Sequence, residues 1–534
     1  MKTETTLSPP HPREINTDRL AVLRNSVGRD IPEQIEGYGL CKLFTGAFNN
    51  LGIVTKAPVK LSSAVPGRSK VLPSIRAAID ASGLKDGGVI SFHHHLRNGD
   101  HILNSVLDVI ARMGLRNITV AASSLFPIHA PLVEHFGRGV VTRICTAYMS
   151  GPVAHAVSRG ALSKPATMLT HGGRARAIES GDLHIDMAFV GAPTADLYGN
   201  INGVDGKAAC GSLGYAMVDV LCADWVVAVT DNLVRYPACP IDITQDHVDF
   251  VVKVDSIGDP QGIVSGTTRA TSDPVGLQIA QTAAKVIAAS GLLTDGFAFQ
   301  TGAGGISLAV AAALKEVMHE RRVQGSFASG GITGHIVDML EAGLFRALFD
   351  VQCFDLKAVD SYRRNDAHMA MSASMYANPH NRGAVVNQLD AMILGATEID
   401  VDFNVNVTTG TNGFIMGGSG GHADAAAGAK LAIVTTRLTV GGYPKVIDKV
   451  TTVTTPGETI DVVVTEKGVA VNPLREELCD RLRAGGIPLV EIEQLKEIAE
   501  QSAGKAHRKV TGERLVAVVE YRDGTVIDVV HAVE

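Results

Sequence analysis

From about Ser74 onward, short apolar runs alternate with stretches whose apolar positions recur at helical spacing, and this rhythm predicts strand followed by helix, many times over. Val89-Ile90-Ser91-Phe92 reads as a strand. Asp100 then stands where an N-cap belongs, Ile102, Leu103, Val106, Val109, Ile110 and Met113 follow on one helical face, and Gly114 suits the left-handed residue that ends a helix. Further strands are expected at 118–122, 140–144, 166–169 and 187–190. A second block opens at Ser272-Asp273-Pro274, where Asp273 can cap a helix and Pro274 suits its first turn. It predicts helix 275–289, strand 297–300, helix 306–318, strand 325–329 and helix 334–342, then strands at 390–394, 399–407, 430–435, 459–465 and 515–520. Repeated strand–helix alternation implies mainly parallel sheets covered by helices.

The expected architecture is therefore α/β, with two tandem, mainly parallel-sheet domains and a cleft between them. An N-terminal arm spans 1–70, a first domain 71–265 and a second 266–534. The blocks share a style but show no evident sequence repeat. The arm is polar, contains Pro9-Pro10 and shows little sign of a core.

Composition narrows the function. A chain of 534 residues exceeds what one hydrophobic core supports. Its 56 glycines and 5% aromatics suit tight strand-to-helix turns. With a formal charge of −7 and no long basic run, a nucleic-acid partner is not expected. Seven widely spaced cysteines without a CxxC pair read as reduced thiols of a cytoplasmic protein. Neither a signal peptide nor a membrane anchor is expected in Met1–Arg19.

Two glycine-rich turns carry the candidate chemistry. Thr301-Gly302-Ala303-Gly304-Gly305 runs from a strand into an apolar helix, where backbone N–H groups at a helix start can hold an anion or an oxyanion. Gly417-Gly418-Ser419-Gly420-Gly421-His422 is the second; no Lys-Ser/Thr pair follows it, so it is not a phosphate-binding loop of the nucleotide-hydrolase kind. His93-His94-His95 invites a metal reading, but alternation along a strand would put His93, His95 and Arg97 on one face and His94 on the other, and no further ligand is spaced nearby. No metal is expected; His93, His95 and Arg97, with Arg174 beyond His171-Gly172-Gly173, are candidates for binding carboxylates.

The ordered motifs Gln300–Ile306, Ala396–Val401, Gly417–Asp424 and Val463–Ala470 resemble the C-terminal half of coenzyme A transferases, and Asp186–Phe189 with Asp196–Asn200 resembles the other half. Within that superfamily, Ser91–Arg97, Ala130–His135, Val141–Ile144, His171–Arg174, Cys210–Tyr215, Asp402–Val407 and Tyr521–Val530 resemble the citrate lyase α-chain family, over about Lys70 to the end. The resemblance implies a transferase that exchanges acetyl for citryl on a carrier thiol: acetyl-carrier plus citrate gives citryl-carrier plus acetate. It implies as partners an acyl carrier protein (γ subunit) bearing a phosphoribosyl-dephospho-CoA group, with acetyl-CoA as its analogue, and a β subunit that cleaves the citryl thioester. No tightly bound cofactor is implied, and an oligomer is expected. A relative acting on citramalate, another acid or free coenzyme A, and a non-catalytic assembly subunit, stay open as alternatives.

Many coenzyme A transferases use a glutamate nucleophile. Counting back from Asp338-Met339-Leu340-Glu341-Ala342-Gly343, that position falls on Gly330, which has no side chain to react. The expected route is a mixed anhydride without a covalent enzyme thioester. Backbone donors at Gly302, Ala303, Gly304 and Gly305 would stabilise the oxyanion, and Gly417, Gly418, Gly420, Gly421 and His422 would contact the carrier's prosthetic group. Glu341 reads as a surface residue and Glu398 as structural.

Overall fold

The computed structural model describes residues 21–49, 56–62, 66–264, 269–505 and 511–534. Residues 1–20, 50–55 and 63–65 of the N-terminal stretch expected as an arm, and the expected boundary at 265/266, lie outside the described residues.

Two large sheets organise the chain. The first has ten strands, in the order Val526–Val533, Thr511–Glu520, Ala166–Met168, Val141–Thr146, Ile118–Ala122, Val89–Phe92, Met187–Ala192, Trp225–Thr230, Phe250–Lys253, Val71–Leu72. The second has eight, in the order His368–Ala370, Phe345–Cys353, Gly325–Ile332, Ala298–Thr301, Ala391–Gly395, Ala432–Thr435, Val462–Thr465, Gly468–Val471. Pairing is parallel throughout except at one edge of each sheet, where a hairpin closes it. The strand interiors are runs of Val, Ile, Ala and Phe buried on both faces, as parallel strands require.

The sequence order reverses once inside each sheet, the edge strand Val71–Leu72 of the first apart. In the first, Val89–Phe92 has its sequence successors on one side and Met187–Ala192 on the other. In the second the reversal falls between Ala298–Thr301 and Ala391–Gly395. Ligands of open α/β sheets bind beyond the carboxyl ends of strands at such a reversal. The residues that follow the two strands are His93–Arg97 and Gly302–Gly305, so the candidates from the sequence occupy equivalent places in the two sheets.

Asp273 and Gly114 cap their helices as the pattern predicts, whereas the N-cap position of Ile102–Met113 is His101 and Asp100, one residue earlier, supplies the side-chain acceptor. Asp100 accepts from the N–H groups of Ile102 and Leu103, both at 3.2 Å, at the start of helix Ile102–Met113. Asp273 accepts from Gly276 N–H at 2.7 Å at the start of Pro274–Ala289. One expected strand is not a single strand: 399–407 splits into Glu398–Asp400 and Val405–Asn406, which pair antiparallel. The cause is a side chain that competes with the ladder. Asp400 accepts from the N–H groups of Asp402 (3.1 Å) and Asn404 (2.8 Å), and Phe403 takes a φ of 63° in the turn.

That hairpin also exposes a repeat that the sequence reading did not find. Thr194–Asp196 pairs antiparallel with Ile201–Asn202 and parallel with Leu233–Val234; Glu398–Asp400 pairs antiparallel with Val405–Asn406 and parallel with Val446–Ile447. Asp196, Asn200 and Asn202 thus correspond to Asp400, Asn404 and Asn406, at the same spacing. Too few positions are shared for self-similarity to stand out.

The described part of the N-terminal stretch is better anchored than its pattern suggests. Ile31 and Ile35 pack with Val518 and Val526, and the rings of Phe44 and Tyr521 meet edge-on at 4.9 Å. Its apolar partners lie nearly 500 residues further along, where no local periodicity can reveal them. Among the described residues, no helix is long and apolar enough to cross a membrane.

Candidate active site

A pocket of about 280 Å³ lies where the two reversal points meet. From the first sheet its wall takes His94, Arg97, Phe126, Tyr148, His171 and Tyr215. From the second come Gln300 to Gly304, Gly331, Val351, Gln352, Phe354 and Tyr376, together with Gly418 to His422. Among these lining residues there is no aspartate and no glutamate, and Arg97 is the one arginine or lysine.

Arg97 is built in at a cost. It sits in a 3-10 turn with a φ of 50°, unfavourable for a side chain with a Cβ, and its guanidinium lies 4.7 Å from the Phe126 ring centre and 5.2 Å from that of Phe354. Burial lowers its pKa to about 10, which still leaves it cationic at neutral pH. The nearby histidines are neutral there. Burial, with help from Arg174 and Arg97, lowers His171 to about 3; burial, with His171 and Arg97, drives His94 well below its usual value. A neutral ring offers one donor and one acceptor.

The triple histidine does not follow strand alternation, because the strand ends at Phe92. His94, expected to face away, lines the pocket: its Nδ1 is 2.6 Å from Ser123 Oγ and its ring lies 4.5 Å from Tyr215. His93 and Arg174, expected to bind carboxylates of the substrate, instead meet a carboxylate of the protein. Arg174 is bidentate to Asp219 at 2.7 and 2.6 Å, and His93 Nε2 stands 3.0 Å from Asp219 Oδ2 but off the line of a hydrogen bond. Burial alone would raise the Asp219 pKa, but Arg174 and His93 outweigh it and hold the carboxyl well below its usual range. His95 is buried beside His93, its Nε2 without a partner among the described residues, and is not among the residues of the pocket wall. The three rings converge on no common ligand set among the described residues.

The first glycine turn opens the helix Gly305–Arg321 into the pocket. Not every N–H in it is free, since that of Gly302 donates to the Ile393 carbonyl at 2.7 Å. Among the described residues nothing accepts from the N–H groups of Ala303, Gly304 and Gly305, so the donors expected over Gly302 to Gly305 narrow to these. The second turn is a seam as well as a wall. Gly420 N–H donates to Ala147 O at 3.0 Å, Gly420 O accepts from His171 N–H at 2.8 Å, and Gly417 O accepts from Met149 N–H at 3.2 Å. A Cβ on Gly421 would stand 2.2 Å from the Tyr376 hydroxyl. Gly417 is outside the lining, whereas Gly418, Gly420, Gly421 and His422 are in it. His422 Nε2 donates to Gly395 O at 2.8 Å and Nδ1 is 2.7 Å from Thr455 Oγ1, so both ring nitrogens already have partners within the protein.

Gly330 has a φ of 99°, and a Cβ built there would lie 2.8 Å from Gln300 Cδ. The side chain of Gln300 takes up that space, held by a bond from its Nε2 to Tyr376 Oη at 2.8 Å and one from Ser329 Oγ to its Oε1 at 3.1 Å. The other two glutamates are placed elsewhere. Glu341 is exposed and 3.4 Å from Lys357. Glu398 is fully buried and accepts from Asn406 Nδ2 (2.9 Å), Thr451 N–H (2.7 Å) and Thr451 Oγ1 (3.1 Å). The sequence reading missed His94, His171, Tyr215, Gln300, Gln352 and Tyr376 as pocket residues. For Gln352 no signal existed, since it sits at the end of a strand (Phe345–Cys353) that the pattern did not predict.

Two strand-order reversals facing one pocket, with a helix N-terminus on one side and a buried arginine on the other, fit the coenzyme A transferase class that the ordered motifs resemble. The fold is shared at 17% identity by a Pseudomonas malonate decarboxylase hetero-tetramer in complex with malonate (TM-score 0.61, covering 81% of this chain and 86% of that one). Residues 68–533 match the family described as citrate lyase, alpha subunit (CitF). The citrate lyase alpha chain of Escherichia coli K12 is 50% identical over 465 residues, 87% of this chain and 91% of the relative. That of Klebsiella pneumoniae is 47% identical over 483 residues, 90% and 95%. A crystal structure of a citrate lyase alpha subunit from Streptococcus mutans in complex with citrate superposes with a TM-score of 0.92 at 46% identity, covering 96% of this chain and 100% of that one. The chain belongs to the citrate lyase alpha-subunit family, the citrate coenzyme A transferases that act with an acyl carrier protein.

Proposed function

We propose that this chain exchanges acetyl for citryl on the thiol of an acyl carrier protein through a mixed anhydride, with no covalent enzyme thioester. The observation that carries this reading is the pocket wall itself: it holds no carboxylate, and the place where relatives have a glutamate is glycine with Gln300 packed into its space. The attacking carboxylate is then the substrate's own. One citrate carboxylate adds to the acetyl thioester, releasing the carrier thiolate and giving acetyl-citryl anhydride. The thiolate attacks the citryl carbonyl, and acetate leaves. One thioester replaces another, so no external energy source is needed.

The protein's contribution is alignment, charge and dryness. Arg97 anchors a carboxylate of the acid. The N–H groups of Ala303, Gly304 and Gly305 face the oxyanion that each addition creates. Phe126, Phe354, Tyr215 and Tyr148 wall the anhydride from water. His93, His95 and Arg174 act behind this surface: Arg174 and His93, paired to Asp219, fix the segment that carries His94 and Arg97. The turn Gly417 to His422, of which Gly418, Gly420, Gly421 and His422 line the pocket, is the wall against which the narrow arm of the carrier's phosphoribosyl-dephospho-CoA group or of acetyl-CoA lies. In this reading the halves 71–265 and 266–534 face each other across the cleft as two domains, except that the hairpin of Thr511–Glu520 and Val526–Val533 returns to the first. The chain works in the cytoplasm as part of an oligomer with a lyase β subunit and the γ carrier protein.

Labelled acetate should exchange into the acetyl-carrier only when citrate is present, and borohydride added during turnover should reduce no glutamate. A reduced side chain at Glu341 or Glu398 would overturn the anhydride route. Replacing Arg97 by alanine removes a charged hydrogen-bond donor worth about 1.5–3 kcal/mol. The citrate KM is expected to rise by about 10- to 100-fold, while the KM for the acetyl-carrier stays within a factor of about three; an unchanged citrate KM removes Arg97 from the acid site.

A further inference from the structure

We infer that Gln352 recognises the hydroxyl group of the acid substrate and thereby selects hydroxy acids over their deoxy analogues. The inference rests on the reading that citrate is the acceptor. It starts from an irregularity in the second sheet. Phe345–Cys353 runs in parallel register with Gly325–Ile332 until Gly330 faces Asp350; the next pair is Gly331 with Gln352, leaving Val351 as an extra residue. A regular strand sends neighbouring side chains to opposite faces, whereas a bulge re-aims them. Here Val351 and Gln352 both reach the pocket wall.

The amide of Gln352 has one orientation. Its Nε2 donates to the His94 carbonyl at 2.6 Å, and a carbonyl oxygen only accepts, so the nitrogen is the atom that faces His94. That leaves Oε1 as an acceptor, fully buried and without a hydrogen-bond partner among the described residues. Buried polar atoms are nearly always paired, so an orphan acceptor in a residue of the pocket wall is available to a ligand donor. The residue is also held still. Its N–H donates to Asp350 Oδ1 at 2.6 Å, and Asp350 Oδ2 in turn accepts from Cys353 Sγ at 2.9 Å and from His368 Nε2 at 3.1 Å. His368 Nδ1 is 3.0 Å from Ser361 Oγ, completing a buried network whose effect is to fix Gln352.

The class of ligand group follows from charge. A neutral acceptor repels carboxylate oxygens and binds O–H or N–H. Arg97 N–H donates to the same His94 carbonyl at 3.0 Å, and its guanidinium lies against Phe354, two residues from Gln352. An acid whose carboxylate meets Arg97 therefore brings its adjoining carbon substituent to Gln352. In fully ionised citrate the sole hydrogen-bond donor is the hydroxyl. A site that hydrogen-bonds a hydroxyl rejects the analogue lacking it far more strongly than a pocket that merely tolerates it.

The test compares citrate with tricarballylate, the same tricarboxylate without its hydroxyl, as acceptors from the acetylated carrier protein. Wild-type protein is expected to prefer citrate by about 100-fold or more in kcat/KM. In Gln352→Met, citrate should fall to near the tricarballylate value, with tricarballylate itself changed by less than about threefold. Equal use of the two acids by wild-type protein overturns the inference, and needs no variant to fold. Retained preference in a folded Gln352→Met protein overturns it too, as does a raised KM for the acetyl-carrier alone, which would assign Oε1 to an amide N–H of the carrier's arm. Wild-type protein that releases no acetate with citrate overturns the proposed function itself, and this inference with it.

Discussion

Gly304→Val is expected to lower transfer by about 100- to 1,000-fold while the protein melts within a few degrees of wild type. The two halves of that expectation come from different features. Gly304 precedes the helix Gly305–Arg321 with a φ of −76°, which any residue adopts, and among the described residues a Cβ there would meet only Ser307 Oγ, at 3.4 Å. The fold therefore has space for a branched side chain. The pocket does not, because the added methyls would stand over the N–H groups proposed to receive the oxyanion and would hold the thioester carbonyl away from them. Loss of one such donor costs about 2.7–4 kcal/mol in the transition state. Measured acetate exchange at a near-normal rate, in a protein of unchanged melting temperature, would remove the turn from catalysis.

Asp219→Ala is expected to cost about 3–5 kcal/mol of stability, because it leaves the Arg174 guanidinium buried without its counter-charge. Asp219 is fully buried, and its two oxygens are the bidentate partners of Arg174. The same pair sets a pH dependence. A carboxyl whose pKa is depressed in the folded state binds fewer protons there than in the unfolded chain. Its stabilisation is complete above the unfolded value, near 4, and is lost as pH falls below that toward the folded value. Urea midpoints taken across pH 5 to 2 should therefore fall less steeply for the variant than for wild type. A midpoint at pH 7 within experimental error of wild type would mean that the pair contributes nothing.

The parts of this molecule legible in the sequence are those whose causes are local. Asp273 and Pro274 start a helix by hydrogen bonding and ring geometry within one turn, and Val89–Phe92 is a strand because Val89, Ile90 and Phe92 form a short apolar run that packs into the core. The ordered motifs identified the family. What stayed hidden depends on partners distant along the chain. Arg174 reads as a free cation until the fold brings Asp219 to it across 45 residues. His94 reads as facing away until the strand is seen to stop one residue before His93. The bulge at Val351, which brings Gln352 to the pocket, leaves no mark in a pattern of apolar residues. The glycine at 330 was readable as a missing nucleophile, but the reason no side chain fits there, the packed amide of Gln300, is a property of the assembled sheet.

The hairpin of Thr511–Glu520 and Val526–Val533 belongs to the first sheet, beside Ala166–Met168, although the whole second sheet separates them in the chain. During synthesis, then, the first sheet waits with an open edge at Ala166–Met168 while some three hundred further residues are made. Neither half can be expressed to completion by cutting the gene between the sheets. A fragment carrying only the first would present an unpaired strand to its neighbours, and aggregation, rather than a folded half-enzyme, is the expected product.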